Sequence, residues 1–280
     1  MALVIEPRDG GAGGPLSIDL TGIVPGLLAG HAAPAIAALP IGADTGTVAL
    51  GSLFALRGDA ADGVVICRGD FSGVHGIAAG MDRGTVEVVG DVGRHAGAGM
   101  TGGRLLVTGN AGDWLAAGMA GGEVVVTGDV GDHAAAALPG ADRGPTGGRV
   151  LVAGDAGAFA ASLMRRGILV VAGSCGPGAA FELRAGTLVT NRVGAGSAVG
   201  MQRGSVVILD HAATPPGATV GFIAGRAWDP PFLRLLAGSL PDAVPWAGVA
   251  GALRCGRWRQ WHGDPLHGGR GEVLQAEPWG

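Results

Sequence analysis

Three histidines, His75, His95 and His133, are the best metal-ligand candidates in this sequence, since neutral imidazole is the commonest protein ligand for transition metals. His95 and His133 fall at equivalent points of a repeat, two repeats apart, with Trp114 at the same point between them. Stacked strands would hold them roughly 10 Å apart, which suits a surface ladder better than a shared ion. A second set, Asp70, Asp91, Asp129 and Asp155, resembles a carboxylate row for calcium. Each directly follows a glycine, and Gly-Asp is turn chemistry, so turn stabilisation is the simpler reading. The three cysteines, Cys67, Cys175 and Cys255, stand 108 and 80 residues apart with no CxxC pair. That argues against zinc, iron–sulfur and a secreted disulfide framework, and for a cytoplasmic chain. No G-x-S-x-G elbow accompanies the histidines, and the chain has no lysine, so nucleophilic catalysis has no obvious players. The arginines Arg83, Arg165, Arg166, Arg184 and Arg203 form the remaining set. They suit solubility and carbonyl or carboxylate pairing, or an acidic partner or polyanionic carrier. No catalytic, cofactor-binding or metal-binding residue is expected.

What could position such columns is a repeat. The chain has 57 glycines and 16 prolines in 280 residues, a composition that means disorder without a period and a stacked architecture with one. Glycines recur at 63, 84, 103, 122, 148, 167, 186 and 204, spaced by 21, 19, 19, 26, 19, 19 and 18 residues. A weaker coil is expected to begin at Gly46. The second and fourth residues after each anchor are almost all apolar, as in Val86 and Val88 or Leu105 and Val107, which is the period of a strand. Met81, Met100, Met119, Met164 and Met201 each lie three residues before an anchor. Such units cannot bury an apolar face alone but can when stacked. The expected fold is therefore all-β, a right-handed parallel β-helix of about 19 residues per coil. It should occupy residues 46–221, after a Pro-rich N-terminal segment (1–45) and before a C-terminal helix and extended tail (222–280). The insertion "AALPGADRGPTG" should bulge outward.

The third residue after each anchor should face outward, yet it reads Ile66, Glu87, Leu106, Val125, Leu151, Val170, Val189 and Val207. A monomer rarely exposes such an apolar stripe. Partner subunits are expected to cover it, the alternatives being cover by the chain's own termini or burial on both faces as in other parallel sheets. A helix is expected at Phe232 to Ala237 as an end cap. Beyond it, Arg254, Arg257 and Arg259 interleave with Trp258 and Trp261, suiting either nucleic-acid stacking or a protein interface. With a net charge of −4 and no nucleic-acid motif, Arg257, Trp258 and Trp261 are read as interface. The stretch Gly22 to Ala43 has no Asp, Glu or Arg, but Pro25, Pro34 and Pro40 interrupt it, so no membrane span is expected.

The coils "GRHAGAGMTGG", "GDWLAAGMAGG" and "GAGSAVGMQRG" resemble the GXGXG domain of the β-helical C-subunit family of formylmethanofuran dehydrogenase, a domain also found in the glutamate synthase large subunit. Chain length resembles the stand-alone member of that family. The Lys-free, Ala- and Arg-rich composition is most similar to the branch in the formyltransferase/hydrolase complex of methylotrophic bacteria; the other branch serves the tungsten or molybdenum dehydrogenase. The resemblance implies a non-catalytic scaffold in one-carbon metabolism. The complex would move a formyl group from formyl-tetrahydromethanopterin to a methanofuran-type carrier and release formate. It further implies three partners: a formyltransferase subunit, a zinc-bearing amidohydrolase-like subunit and a third subunit. A stand-alone β-helix enzyme is the alternative from another class.

Overall fold

The anchored apolar runs fold as strands, laid one on another in the register their spacing dictates. The computed structural model describes residues 2–8, 17–213, 221–254, 256–263 and 265–278; Cys255 lies outside the described residues. The N-terminal part contributes β1 (Leu3–Pro7), β2 (Ile18–Asp19), α1 (Pro25–Leu28), α2 (Ala33–Ala37), β3 (Pro40–Ala43), β4 (Gly46–Ala49), α3 (Leu50–Leu53) and β5 (Phe54–Arg57). The repeats supply β6 (Val64–Arg68), β7 (Val74–His75), β8 (Thr85–Val89), β9 (Arg104–Val107), β10 (Glu123–Val126), β11 (Thr146–Val152), β12 (Arg166–Val171), β13 (Thr187–Thr190) and β14 (Arg203–Ile208). The tail adds β15 (Ile223–Trp228), α4 (Pro231–Ser239), α5 (Trp246–Arg254), β16 (Trp258–His262) and β17 (Arg270–Ala276). Strand makes up 34% of the chain against 13% helix, so the chain is mostly sheet.

Thirteen strands form one sheet in the order β15-β16-β17-β14-β13-β12-β11-β10-β9-β8-β6-β1-β5. From β1 to β17 every neighbouring pair is parallel. The register keeps each row intact: Val65, Val86, Leu105, Val124, Val150, Leu169, Leu188 and Val206 are successive cross-strand partners. A second column of parallel bridges runs alongside through Phe71, Val92, Ala111, Val130, Ala156, Cys175 and Val193. Between these columns and the next anchor, the backbone alternates in hand. His95, Gly97 and Gly99 have φ of 63, 66 and 65°, and Trp114, Ala116 and Gly118 repeat the pattern. Successive left-handed residues therefore hydrogen-bond in opposite directions. The N–H of His95 donates forward to Asp113, that of Gly97 back to Ile77, and that of Gly99 forward to Ala117, each at 2.8 Å. Gly takes this hand at no steric cost, while His95, Trp114 and Ala116 hold it in spite of a Cβ.

The methionine column lies inside. Met81, Met100, Met119, Met164 and Met201 are at most 1% exposed and share one cluster with the Val and Leu rows. The carbonyl of Met100 accepts the N–H of Ala120, one coil onward, at 2.7 Å. The flexible thioether fills the irregular space left where glycine-rich corners meet.

Three details differ from expectation. Gly46 does not start a coil: β4 pairs antiparallel with β3 in a separate sheet of order β4-β3-β2-β7. The stack starts instead with β1, which runs parallel to β6 and antiparallel to β5. At the far end the last parallel rung is β17, contributed by the tail and aligned with β14 from Arg203↔Arg270 to Ile208↔Gln275. The insertion does leave the stack, with residues 139–143 exposed and a register shift between Thr146 and Arg149 where the chain rejoins it. No helix among the described residues is long and apolar enough to cross a membrane.

Candidate functional site

The apolar outer wall is the first candidate surface, and most of it is already covered. Leu233, Leu236 and Ala237 on α4, with Leu240 just past its end, recur at helical spacing, as do Trp246, Val249, Ala250 and Leu253 along α5. These two stripes pack with Trp258 and Leu274 onto Leu151, Val170, Val189 and Val207, all four of which are 0% exposed. At those positions cover by partner subunits gives way to cover by the chain itself. The reason is the usual one for a helix on a sheet: two apolar stripes of i, i+3, i+4, i+7 period bury the face. Trp258 is likewise a core residue rather than an interface residue, being 0% exposed. Val125 is half-buried at the edge of the cluster, while Ile66 and Leu106 are half-buried beyond it. Trp261 is half-buried and Arg257 is exposed. Glu123 pins the helical cover: it pairs with Arg104 at 2.9 Å and with Arg149, whose guanidinium also donates to the Ser239 carbonyl at the end of α4, at 2.5 Å.

The arginine column is the second candidate, and the structure divides it. Arg83 pairs with Asp82 at 3.2 Å. Arg165 and Arg166 are exposed at the start of β12. Arg184 and Arg203 come together with Gln202, His267, Gly268 and Arg270 around a cavity of about 270 Å³. Spacing does not reveal Arg270 as a member, because 67 residues separate it from Arg203, its direct cross-strand partner. The signal that could have found it is the match between "RGSV" at 203–206 and "RGEV" at 270–273.

The histidines do not converge. His95, Trp114, His133 and Phe159 form one stack, with ring centroids 5.3, 4.9 and 5.3 Å apart and planes within 8° of parallel. Trp114 separates the two imidazoles. His75 is used otherwise: its Nδ1 accepts the Arg94 N–H at 3.0 Å. Burial, then the charges of Arg94 and His95, hold its pKa below the ordinary value. Among the described residues no three of His, Cys, Asp and Glu are placed to hold a metal ion.

Neither a family model nor a curated protein matches this sequence. A solved structure does, over the whole chain. It is an X-ray structure of the formyltransferase/hydrolase complex (FhcABCD) from Methylorubrum extorquens in complex with methylofuran. One of its chains is 32% identical and superposes with a TM-score of 0.85, the match covering 98% of this chain and 100% of that one. The chain belongs to this family of formyltransferase/hydrolase complex subunits.

In this formyltransferase/hydrolase family member the carboxylate column is structural, though not in the way a turn within one coil would be. Asp91 accepts the N–H of Asn110, Asn110 that of Asp129, Asp129 that of Asp155, and Asp155 that of Ser174, at 2.7 to 2.8 Å. Each side chain thus caps the following coil; only Asp70 closes a local turn, on Ser72 at 2.8 Å. Asp113 and Asp132 make a parallel series through the N–H groups of Asp132 and Ala158. Cys67 and Cys175 are free and buried, and burial pushes both thiols up to about 12, which leaves them without the thiolate character of a nucleophile.

Proposed function

We propose that the chain is the β-helical subunit of a formyltransferase/hydrolase complex and serves it as a non-catalytic scaffold. The complex moves a formyl group from formyl-tetrahydromethanopterin to a methanofuran-type carrier and releases formate in cytoplasmic one-carbon metabolism. The observation that carries this reading is the match to a chain of such a complex along the full length of both proteins, at 32% identity. The coil stack supports it as a right-handed parallel β-helix of the GXGXG type: parallel rungs in register, a second bridged column, and left-handed corners at the repeated Gly positions. We assign the chemistry to neighbouring subunits, formyl transfer to one and hydrolysis at zinc to an amidohydrolase-like other, beside a third. This chain's own conspicuous side chains are engaged structurally, the carboxylates in coil capping and the thiols in the interior. Ile66, Leu106, Val125, Arg257 and Trp261 are what remains of the outer wall and tail for those partners. Arg165, Arg166, Arg184 and Arg203 form a basic edge toward an acidic partner or polyanionic carrier.

A tagged copy expressed in its native host tests the reading. It should co-purify in fixed stoichiometry with formyltransferase and amidohydrolase-like subunits, and the preparation should release formate from the formylated carrier. Elution of the tagged chain alone, with neither activity nor partners, would overturn it.

A further inference from the structure

Eight arginines among the described residues pair with an acid, Arg83 and Arg149 among them. Arg57 lies 3.9 Å from Glu6, Arg104 2.9 Å from Glu123, Arg143 3.5 Å from Asp142 and Arg192 2.5 Å from Asp210, while Arg234 and Arg259 pair with Asp229 and Glu277. At the last rungs three arginines without such a pair come together. Arg203 and Arg270 open β14 and β17 directly opposite each other, and Arg184 lies one coil earlier, in the turn that precedes β13. Among the described residues no carboxylate ion-pairs with any of the three. Like charges facing each other across a parallel pair repel. The Arg184 Nε–H is also shut off from water without an acceptor, a state that native structures seldom leave a buried donor in. No carbonyl or carboxylate of its own chain takes this N–H.

We propose that the cavity of about 270 Å³ bounded by Arg184, Gln202, Arg203, His267 and Arg270 is a binding site for a small, multiply charged oxyanion bearing phosphate or carboxylate groups. The proposal rests on the basic-edge reading above and narrows it to one pocket and one ligand chemistry. Guanidinium forks match the paired oxygens of either group bidentately. Three of them around one cavity select for more than one negative charge. The Gln202 amide adds a neutral donor, which a bare electrostatic patch would lack. The cavity falls just below the size range of pockets for drug-sized ligands, about 300–1,000 Å³, so it takes a single phosphate or a di- or tricarboxylate headgroup.

Calorimetric titration of the full-length chain with inorganic phosphate and with citrate, at matched ionic strength in chloride, tests this. Saturable one-site binding is expected, weakened at least tenfold in Arg203→Gln and in Arg270→Gln and unchanged in Arg143→Gln, a surface control paired with Asp142. A phosphate preference over citrate identifies a phosphate ligand and the reverse a carboxylate one. Both variants remove one of two facing cations, so without anion their unfolding midpoint should hold or rise, which separates lost binding from lost folding. Absence of saturable binding by either probe, or equal binding by the Arg203→Gln/Arg270→Gln double variant, overturns the proposal. Partner capture by Arg165→Glu decides the basic-edge reading separately, since Arg165 does not line the cavity.

Discussion

The carboxylate of Asp129 accepts the backbone N–H of Asp155, the next acid of its column, at 2.8 Å. The bond crosses from one coil to the next, and it depends on Gly154 in between: a Cβ there would lie 2.1 Å from the Asp129 Oδ1. Gly154 does not have positive φ, so close approach rather than backbone hand selects glycine. The Gly-Asp pair is thus two halves of two different contacts, the glycine admitting the acid from below and the acid reaching the coil above.

This makes a double-mutant cycle informative. Asp129→Ala should cost about 1 kcal/mol in urea unfolding, the net worth of a typical intramolecular hydrogen bond. Gly154→Ala should cost more, because the carboxylate must be displaced before the methyl fits. The double variant should be less destabilised than the two single costs together, since one change removes part of the obstacle the other meets. Strict additivity would show that the carboxylate is not what excludes a side chain at 154.

The cover of the outer wall sets a second contrast. Leu151 is sealed under α4 and α5 at 0% exposure, whereas Leu106 on the same row is half-buried. Leu151→Ala should therefore destabilise the chain by about 2–5 kcal/mol, the range for a large-to-small change in a core. Leu106→Ala should cost under about 1 kcal/mol in the isolated chain, as partly exposed sites do. Leu106→Asp should leave folding intact and lower the yield of partner subunits in a pull-down. Undiminished partner recovery with Leu106→Asp would remove that end of the wall from the interface.

Much of the stack is legible in the sequence because its rules are local and repeat. Period-two Val and Leu runs announce the strands, and the methionines mark a shared interior position by their spacing alone. What escapes involves residues far apart in sequence. The direction of the Asp129 bond is invisible within one coil, since its acceptor and donor sit 26 residues apart. Strand β1, "LVIEP", carries no anchor glycine, so nothing flags it as a rung. Helix α5 is hidden by Gly248 and Gly251, poor helix formers that packing onto the sheet overrides. For the same reason the stripe at Leu151, Val170, Val189 and Val207 is legible as apolar but not as covered. The basic site is half-legible, with Arg184 and Arg203 marked by the repeat and Arg270 concealed by the long excursion before β17.

The buried thiols give a third test. With both pushed up to about 12 by burial, Cys67 and Cys175 should resist a thiol reagent at pH 8 in a Cys255→Ser background. They should react together, at a rate that follows global unfolding as urea is raised. Prompt modification of either in the folded protein would show that the interior row opens locally.

A fourth test is acid dependence, which His75 should steepen. Its ring nitrogen Nδ1 must be free of a proton to accept the Arg94 N–H. Burial first, and then Arg94 and His95, lower its pKa against the opposing pull of Asp19 and Asp44. The unfolded chain, with an ordinary histidine value of about 6.5, therefore takes up the proton before the folded one does as pH falls. By linkage, the stabilisation that comes from keeping this ring neutral is complete above about pH 6.5 and lost as pH drops through the lower folded value. Urea midpoints measured from pH 8 to pH 5 should fall on the acid side. In His75→Gln, whose amide oxygen can still accept from Arg94, that fall should be shallower. Curves of equal steepness would assign the acid sensitivity to other groups.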